Sequence, residues 1–533
     1  AVIIVGSVNE QREISDFSNR AGGYENAFLT ALGESVCCTY EDGKLYEEPA
    51  PGGGTYVYLF SGTSFAAPQV SGAVALLAQA FPNLKATEIV QILLDSARDA
   101  GDPGADAVYG SGILDIAAAF APQGTTSLAG TTTAVAMGSL TGVGSTTMGD
   151  AVNQTSASAI VLDKYKRAYN LDLARQVESA NQSGRLGMAV GRTERSVTAA
   201  GEKLSMAFTI DARDRAGGLP VPQQLRLSED DAEAARVLAG RVALKLSPDS
   251  QIALGISEGP HGMVAQLQGH DRPAFMIARD ATGDDGLTRS SDVSFAWRQQ
   301  VGEWGLTASA EAGRSYAGAS TDFYGDLGNG KSSDAARSFG IAADRTFGAL
   351  DGVLGITFMQ EADSVLGARF GRTFGTTGSD SMFVDASLGW NLAPGWRLGA
   401  DARLGRTDAA SGGLVAGGST LWTQGFSADV ARTGVFVAND QLAFRIAQPL
   451  RVASGGLNLT LPTGYSYETL QPTWTTQLYD LSPEGREVMG ELAWRGPLLG
   501  GFGGVSAFYR RQPGHFAEAP DDAGVAMRWS VDF

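Results

Sequence analysis

The stretch Ser61-Gly62-Thr63-Ser64-Phe65-Ala66-Ala67-Pro68-Gln69-Val70-Ser71-Gly72-Ala73 holds the residue types best suited to covalent chemistry. Ser64 follows a turn of small residues and opens a hydrophobic helix. A helix start offers backbone N–H groups without intrahelical partners and the positive end of the aligned peptide dipoles. Both stabilise negative charge developing on an acyl oxygen, so a hydroxyl held there is placed for acyl transfer. Gly62 lets the chain bend tightly, and Ala66 and Ala67 leave room for a substrate. Pro68, near the first turn, forgoes an N–H that would be unpaired anyway. A serine ahead of an apolar helix is equally an ordinary capped helix start. The residues alone leave both readings open.

The elements that must position Ser64 are legible on either side. The spacing of Val70, Val74, Leu77 and Phe81 predicts a helix over Ser64–Phe81. A second helix is expected over Ala86–Arg98, with Thr87 near its start, Ile89, Ile92, Leu93 and Ala97 inward, and Gly101 and Pro103 ending it. The apolar run Ala1-Val2-Ile3-Ile4-Val5-Gly6 reads as a buried strand.

With these residues in view, the run around Ser64 resembles the G-T-S-x-A-x-P signature of subtilisin-like serine proteases, with Phe65 where the family most often has Met. Val5-Gly6-Ser7-Val8 followed by Ile14-Ser15-Asp16-Phe17-Ser18-Asn19 is similar to the family's strand and following Phe-Ser segment. Phe28-Leu29-Thr30-Ala31-Leu32-Gly33-Glu34 resembles its Ala-Pro-Gly turn, with Leu32 in place of proline. Tyr109-Gly110-Ser111-Gly112-Ile113-Leu114-Asp115 resembles its closing Gly-x-Gly segment. The resemblance covers about residues 1–120 in the family's order. It implies an α/β fold around a parallel sheet, peptide-bond hydrolysis through an acyl-enzyme on Ser64, and protein or peptide substrates. In the family an Asp, a His and then the Ser act together, the His taking the serine's proton. By the family order the Asp, the His and an oxyanion Asn are expected ahead of Ala1. The three histidines of the chain, His261, His270 and His515, all fall in its β-rich half and are expected to be loop residues. The 533-residue chain is therefore expected to be inactive alone. Calcium is implied by family resemblance only, with no ligand cluster legible, and no other cofactor is expected.

The rest of the chain changes character. Residues 123–157 are rich in Gly, Thr, Ser and Ala and read as a linker. A helix is expected over Ser158–Ala180 from the stripe Leu162, Tyr165, Tyr169 and Leu173, roughly 30 Å long at 1.5 Å per residue. It is too polar to face lipid but suited to a polar lumen. The period then drops to two. Met382, Val384, Ala386, Leu388, Trp390 and Leu392 alternate with Phe383, Asp385, Ser387, Gly389 and Asn391, and Trp396, Leu398, Ala400, Ala402 and Leu404 follow after Pro394-Gly395. About twelve such strands can be marked from Asp292 onward. Segments near Leu186–Val190, Met206–Ile210 and Val242–Leu246 are either further strands or part of the preceding domain. The last strand carries Val525, Met527, Trp529, Val531 and Phe533 on one face.

This order resembles an autotransporter, in which a passenger, a linker and a helix in the pore precede a membrane barrel. The expected architecture is multidomain. Residues 1–122 form an α/β subtilisin-like fragment with a parallel sheet and flanking helices. Residues 123–180 form linker and helix, and 181–533 an all-β outer-membrane barrel, its start as late as about 290. The implied partners are outer-membrane lipids and the barrel assembly machinery, which would read the strand ending in Phe533. The peptidase part is expected at the cell surface or secreted. The rivals are a catalytically dead passenger acting as an adhesin and a porin-like channel.

Composition bounds these readings. A chain of 533 residues with 70 Gly and only 18% charged residues exceeds one ordinary core. No apolar run is long enough for a membrane helix, whereas a membrane barrel spreads its apolar residues by alternation. A net charge of −18 argues against nucleic-acid binding, which needs a basic surface. Cys37 and Cys38 are expected to be incidental thiols, a vicinal disulfide being the alternative.

Overall fold

The computed structural model describes all residues except 1, 39, 139–141, 181–193, 202, 212–235, 270–272, 274, 283–287, 317–332, 372–373, 376–377 and 531–533. The expected strand at Leu186–Val190 and the terminal Phe533 lie outside the described residues. The chain forms two compact units. One comprises Ala1–Met137, Ser158–Leu171 and Pro462–Thr475, and the other Gly138–Ala157, Asp172–Leu461 and Thr476–Phe533.

In the first unit, strand β1 (Ile4–Val8) pairs in parallel with β2 (Phe28–Leu32). Helices α1 (Thr63–Ala80) and α2 (Ala86–Asp95) bury their apolar stripes around Leu29, Val70, Leu77, Ile92 and Leu93. Glu88 caps α2 by accepting the Lys85 N–H at 2.7 Å. The second helix ends at Asp95, before the expected Arg98. The Arg98 N–H instead donates to Ile113 O at 2.8 Å, and the Ile113 N–H returns the bond to Arg98 O at 2.9 Å. A short helix α3 (Ile116–Phe120) follows, capped by Asp115, whose carboxylate accepts the Ala118 N–H.

The helix expected over 158–180 does not form. Ser158–Leu162 and Ala168–Asp172 are strands that join Ser127–Leu128 in a three-stranded sheet, and Leu173–Gln176 is one 3₁₀ turn. A turn at 163–166 separates the strands. The Asp163 carboxylate accepts the N–H groups of Tyr165 and Arg167 at 2.9 and 3.0 Å, and Lys166 takes a left-handed φ of 59°. Inserting that turn between two alternating strands spaces Leu162, Tyr165 and Tyr169 as a helix would. Arg167 is fully buried. It pairs with Asp163 at 2.7 Å, donates to Ala119 O and Ala121 O at 2.6 and 2.9 Å, and lies over the rings of Phe81 and Tyr169.

The second unit is built on one antiparallel sheet of sixteen strands, running from Glu194–Ala200 to Asp522–Ser530. Twelve of these lie from Thr288 onward; four precede them, and Met206–Ile210 and Val242–Leu246 fall within sheet strands. The sheet thus exceeds the expected twelve strands. Among the described residues no pairing joins its first strand to its last. Neighbouring strands pair residue for residue over most of their length, as in Val384↔Leu404 and Asp385↔Arg403, with register shifts at a few points such as Asn391/Ala393. At one end, five connections are two-residue turns, at 248–249, 302–303, 348–349, 394–395 and 499–500; at the other end they run longer, as at 362–378, 410–419 and 512–521.

The polarity of the sheet is inverted relative to a water-soluble protein. Leu388, Trp390 and Val525 are 54%, 46% and 68% exposed, whereas Arg403, Arg445 and Glu491 are 5%, 5% and 0% exposed. The buried charges are paired: Arg403 donates to Asp385 at 2.7 Å and Arg445 to Asp429 at 2.9 Å. Among the described residues no helix is long and apolar enough to cross a membrane.

Residues 142–157, expected as linker, are packed into this unit. Gly142–Val143 pairs in parallel with Val177–Glu178, and helix α4 (Ala151–Gln154) follows a buried 3₁₀ turn at Thr146–Met148. The Asp150 carboxylate accepts the N–H groups of Glu484 at 2.9 Å and Ala517 at 2.7 Å. Gly149 has φ 45°, and a Cβ there would lie 2.3 Å from His515 O, so the small residues serve close backbone contact.

Removing the Arg167 side chain leaves Asp163 buried and unpaired. Arg167→Ala is expected to destabilise the first unit by about 3–5 kcal/mol, read from its denaturant midpoint. Asp115 gives a pH dependence. The Ala118 N–H, then the Arg98 guanidinium, hold its carboxyl below the ordinary range. Its folded pKa is thus below the unfolded one, so the stabilisation is complete above the unfolded pKa and is lost as pH falls through the folded value. Asp115→Ala is expected to cost about 1 kcal/mol at neutral pH and to abolish this acid-dependent loss, measured by unfolding at pH 7 and pH 3.

Candidate active site

Ser64 is the second residue of α1 and is solvent-exposed. Its position follows from a backbone junction. The Gly33 N–H donates to Val8 O at 3.1 Å, and the Gly62 N–H donates to Gly33 O at 2.7 Å. Gln69, one turn further along α1, donates from Nε2 to Leu32 O at 2.6 Å. The helix start is thereby tied to the ends of β1 and β2. A Cβ on Gly33 would sit 2.6 Å from Ser7 Oγ and 2.8 Å from Gly62 O, so only glycine fits. Leu32, where the resembled family has proline, keeps the carbonyl that Gln69 uses.

The Phe65 N–H is taken by Gly62 O at 3.0 Å, while among the described residues the N–H groups of Thr63 and Ser64 have no backbone partner. These are the donors a developing oxyanion could use. The Ser64 hydroxyl likewise has no hydrogen-bond partner among the described residues. Pro68 is the sixth helical residue, deeper than the expected first-turn position; its missing N–H is the one that would pair with the Ser64 carbonyl. Ala66 is fully buried and Ala67 half-buried, so Ala66 serves packing.

The closing segment braces the same strands. Thr30 donates from Oγ1 to Gly112 O at 2.9 Å, and the Leu114 N–H donates to Thr30 O at 2.8 Å. Gly110, at φ 64°, lies where a Cβ would meet Phe28 O at 2.5 Å.

Residues 36–60 were not singled out beyond their cysteines. The sulfur atoms of Cys37 and Cys38 lie against each other, the arrangement of the vicinal pair named above as the alternative to incidental thiols. Val36–Cys37 pairs with Leu59–Phe60, and the Phe60 ring stacks on Phe65 with centroids 5.5 Å apart. The aromatic density of Tyr56-Val57-Tyr58-Leu59-Phe60 was the available signal. Tyr46 and Tyr58 both donate to the Glu48 carboxylate, at 3.0 and 2.5 Å, which lowers its pKa.

Neither described histidine belongs to the unit that carries Ser64. His261 opens a helix, α5 (Pro260–Gln268), 3.6 Å from the Asp280 carboxylate. His515 is buried in a 3₁₀ turn, where Nδ1 accepts the Glu487 N–H at 2.9 Å. Both were expected in loops. His270 lies outside the described residues. Among the described residues no cluster of His, Cys, Asp and Glu could hold a metal ion.

The junction yields a specific expectation. Gly33→Ala forces either Ser7 or the start of α1 to move, and is expected to lower stability by about 1–3 kcal/mol, read from the unfolding midpoint.

Residues 1–112 match the Subtilase family, Peptidase_S8. Fervidolysin of Fervidobacterium pennivorans is 39% identical over 114 residues, 20% of this chain and 16% of that protein. Subtilisin DY of Bacillus licheniformis is 33% identical over 119 residues, 22% of this chain and 37% of that protein. The chain thus spans well under half the length of these relatives. A solved anion-selective porin from Comamonas acidovorans overlaps 62% of this chain and 85% of its own, with 12% identity and a TM-score of 0.33. The chain carries a Subtilase-family segment at residues 1–112, followed by a large antiparallel β-sheet.

Proposed function

We propose that the protein is the serine endopeptidase passenger of an autotransporter, with Ser64 as the acyl-transfer nucleophile and the sixteen-stranded sheet as its outer-membrane barrel. The observation that carries the catalytic part is the exposed Ser64 hydroxyl at the start of α1, beside two unpartnered N–H groups, inside a Subtilase-family segment. In the reaction the Ser64 oxygen attacks the scissile carbonyl, the amine leaves, and water releases the acyl group. The Ser64 N–H faces the charge that develops on the carbonyl oxygen.

That attack needs a base. Residues 1–112 contain no histidine. In the related enzyme subtilisin, loss of the histidine lowers turnover roughly a million-fold. We therefore assign the activity to a protein in which the triad Asp and His are supplied by sequence outside this chain.

The membrane part rests on the outward Trp and Leu residues and the inward, paired charges, the polarity of a strand wall between lipid and a polar interior. In such walls short turns face the periplasm and long connections face outward. Asp150 fastens the chain ahead of the sheet to the long connections that hold Glu484 and Ala517. A peptidase at the cell surface, and delivery to the barrel assembly machinery through the last strand, belong to the same reading.

The test is hydrolysis of a denatured protein substrate by the purified 533-residue chain. No hydrolysis above background is expected, and Ser64→Ala should change nothing. Hydrolysis that Ser64→Ala abolishes would show that the base is present in this chain after all.

A further inference from the structure

The chain does not turn back directly between strands Ser250–Ile256 and Thr288–Val301. It forms α5 and then the segment 275–282, which is fastened to strands far along the sheet. The N–H groups of Met276 and Ile277 donate to the Glu491 carboxylate at 2.8 and 2.9 Å, and the Ala278 N–H donates to it as well. Arg445 donates to Ala278 O at 3.2 Å and lies over the Phe275 ring at 4.3 Å. The Ala281 N–H donates to Ser427 Oγ at 3.0 Å. Glu491 is fully buried, so one carboxylate gathers three consecutive amides on the charged face.

Chain length then constrains the sheet. Ala281 bonds to strand Thr420–Thr433, which lies six strand steps from Thr288–Val301 in the pairing order. At a spacing of about 4.8 Å those steps span about 29 Å on a flat sheet. The seven residues from Ala281 to Thr288 reach at most about 24 Å at about 3.4 Å each. Even with about 5 Å added for the serine side chain and its hydrogen bond, a flat sheet would need a fully straight chain, which favours a curled sheet with the charged face inside. Beside α5 an open cavity is lined in part by Thr307, Ser309, Ser338, Thr357 and the Arg403–Asp385 pair, and in part by apolar residues that include Ile341, Val353 and Phe383.

We propose that the curled sheet encloses a path for small ions and polar solutes, and that residues 275–282 form a strap which narrows it, held in place by Glu491. The proposal rests on the membrane-barrel reading above. The strap crosses the inner face by backbone bonds, so its hold depends on the charge of Glu491 rather than on its own side chains. Loss of that charge frees three amides and releases the strap toward one wall.

The test is the single-channel conductance of the full chain, refolded into lipid vesicles and fused to a planar bilayer in potassium chloride, for the wild type and Glu491→Ala. Insertion is checked independently by the heat-dependent gel mobility of folded barrels. The wild type is expected to give small channels, and Glu491→Ala channels at least about twofold larger, since conductance follows pore width. If Glu491→Ala does not fold, Ser427→Ala, which removes a single strap bond, is read in the same way. Inserted protein whose conductance is absent or unchanged in the variant overturns the strap while leaving the barrel. Protein that never inserts overturns the barrel reading and the strap with it.

Discussion

The contact on which the position of Ser64 depends is the hydrogen bond from Gly62 to Gly33. It brings two backbones closer than any side chain permits, and it fixes where α1 begins relative to the ends of β1 and β2. The apolar stripe of α1 sets only which face is buried. It would tolerate a small slide along the helix axis, because Val70, Ala73 and Leu77 pack against a broad surface. The backbone bond and the Gln69 contact to Leu32 remove that freedom, so Ser64 occupies one position. A hydroxyl used for acyl transfer needs this, because small displacements forfeit the alignment that makes attack efficient.

The sheet solves the opposite problem. Its wall strands turn apolar side chains outward and gather charge inside, which in water would be costly on both faces. Three inward guanidinium groups are matched by carboxylates, Arg403 by Asp385, Arg445 by Asp429 and Arg298 by Asp344, and that of Arg451 donates to the carbonyls of Pro483 and Gly485. Unpaired, such charges would be strongly destabilising. Placed against lipid, the outward Leu, Trp and Phe side chains bury their area in hydrocarbon, at roughly 25 cal/mol per Å².

Much of this was legible in the sequence, for identifiable reasons. Periodicity located α1 within a residue and the alternation from Thr288 onward, because both patterns are set by burial on one face. The helix expected over 158–180 failed because spacing alone does not distinguish a helix from two strands joined by the Asp163 turn. Arg167 was overlooked for a related reason, since a charged residue gives no sign of burial until its carboxylate and carbonyl partners converge from distant positions. The Gly- and Ser-rich stretch before it was read as a spacer, although the same composition permits the close packing at Gly149. Residues 275–282 form a short segment whose partners Ser427, Arg445 and Glu491 lie some 150 to 210 residues away.

The central claim is that the start of α1 makes Ser64 an acyl-transfer group whose base is not in this chain. The direct measurement is the site of phosphonylation when the chain is treated with a fluorophosphonate, with imidazole added as an external base and the labelled peptides identified by mass spectrometry. Ser61 and Ser71 are exposed neighbours and serve as internal controls. The account predicts imidazole-dependent labelling of Ser64 well above either neighbour. Labelling of Ser64 no greater than that of Ser61 and Ser71 would contradict it.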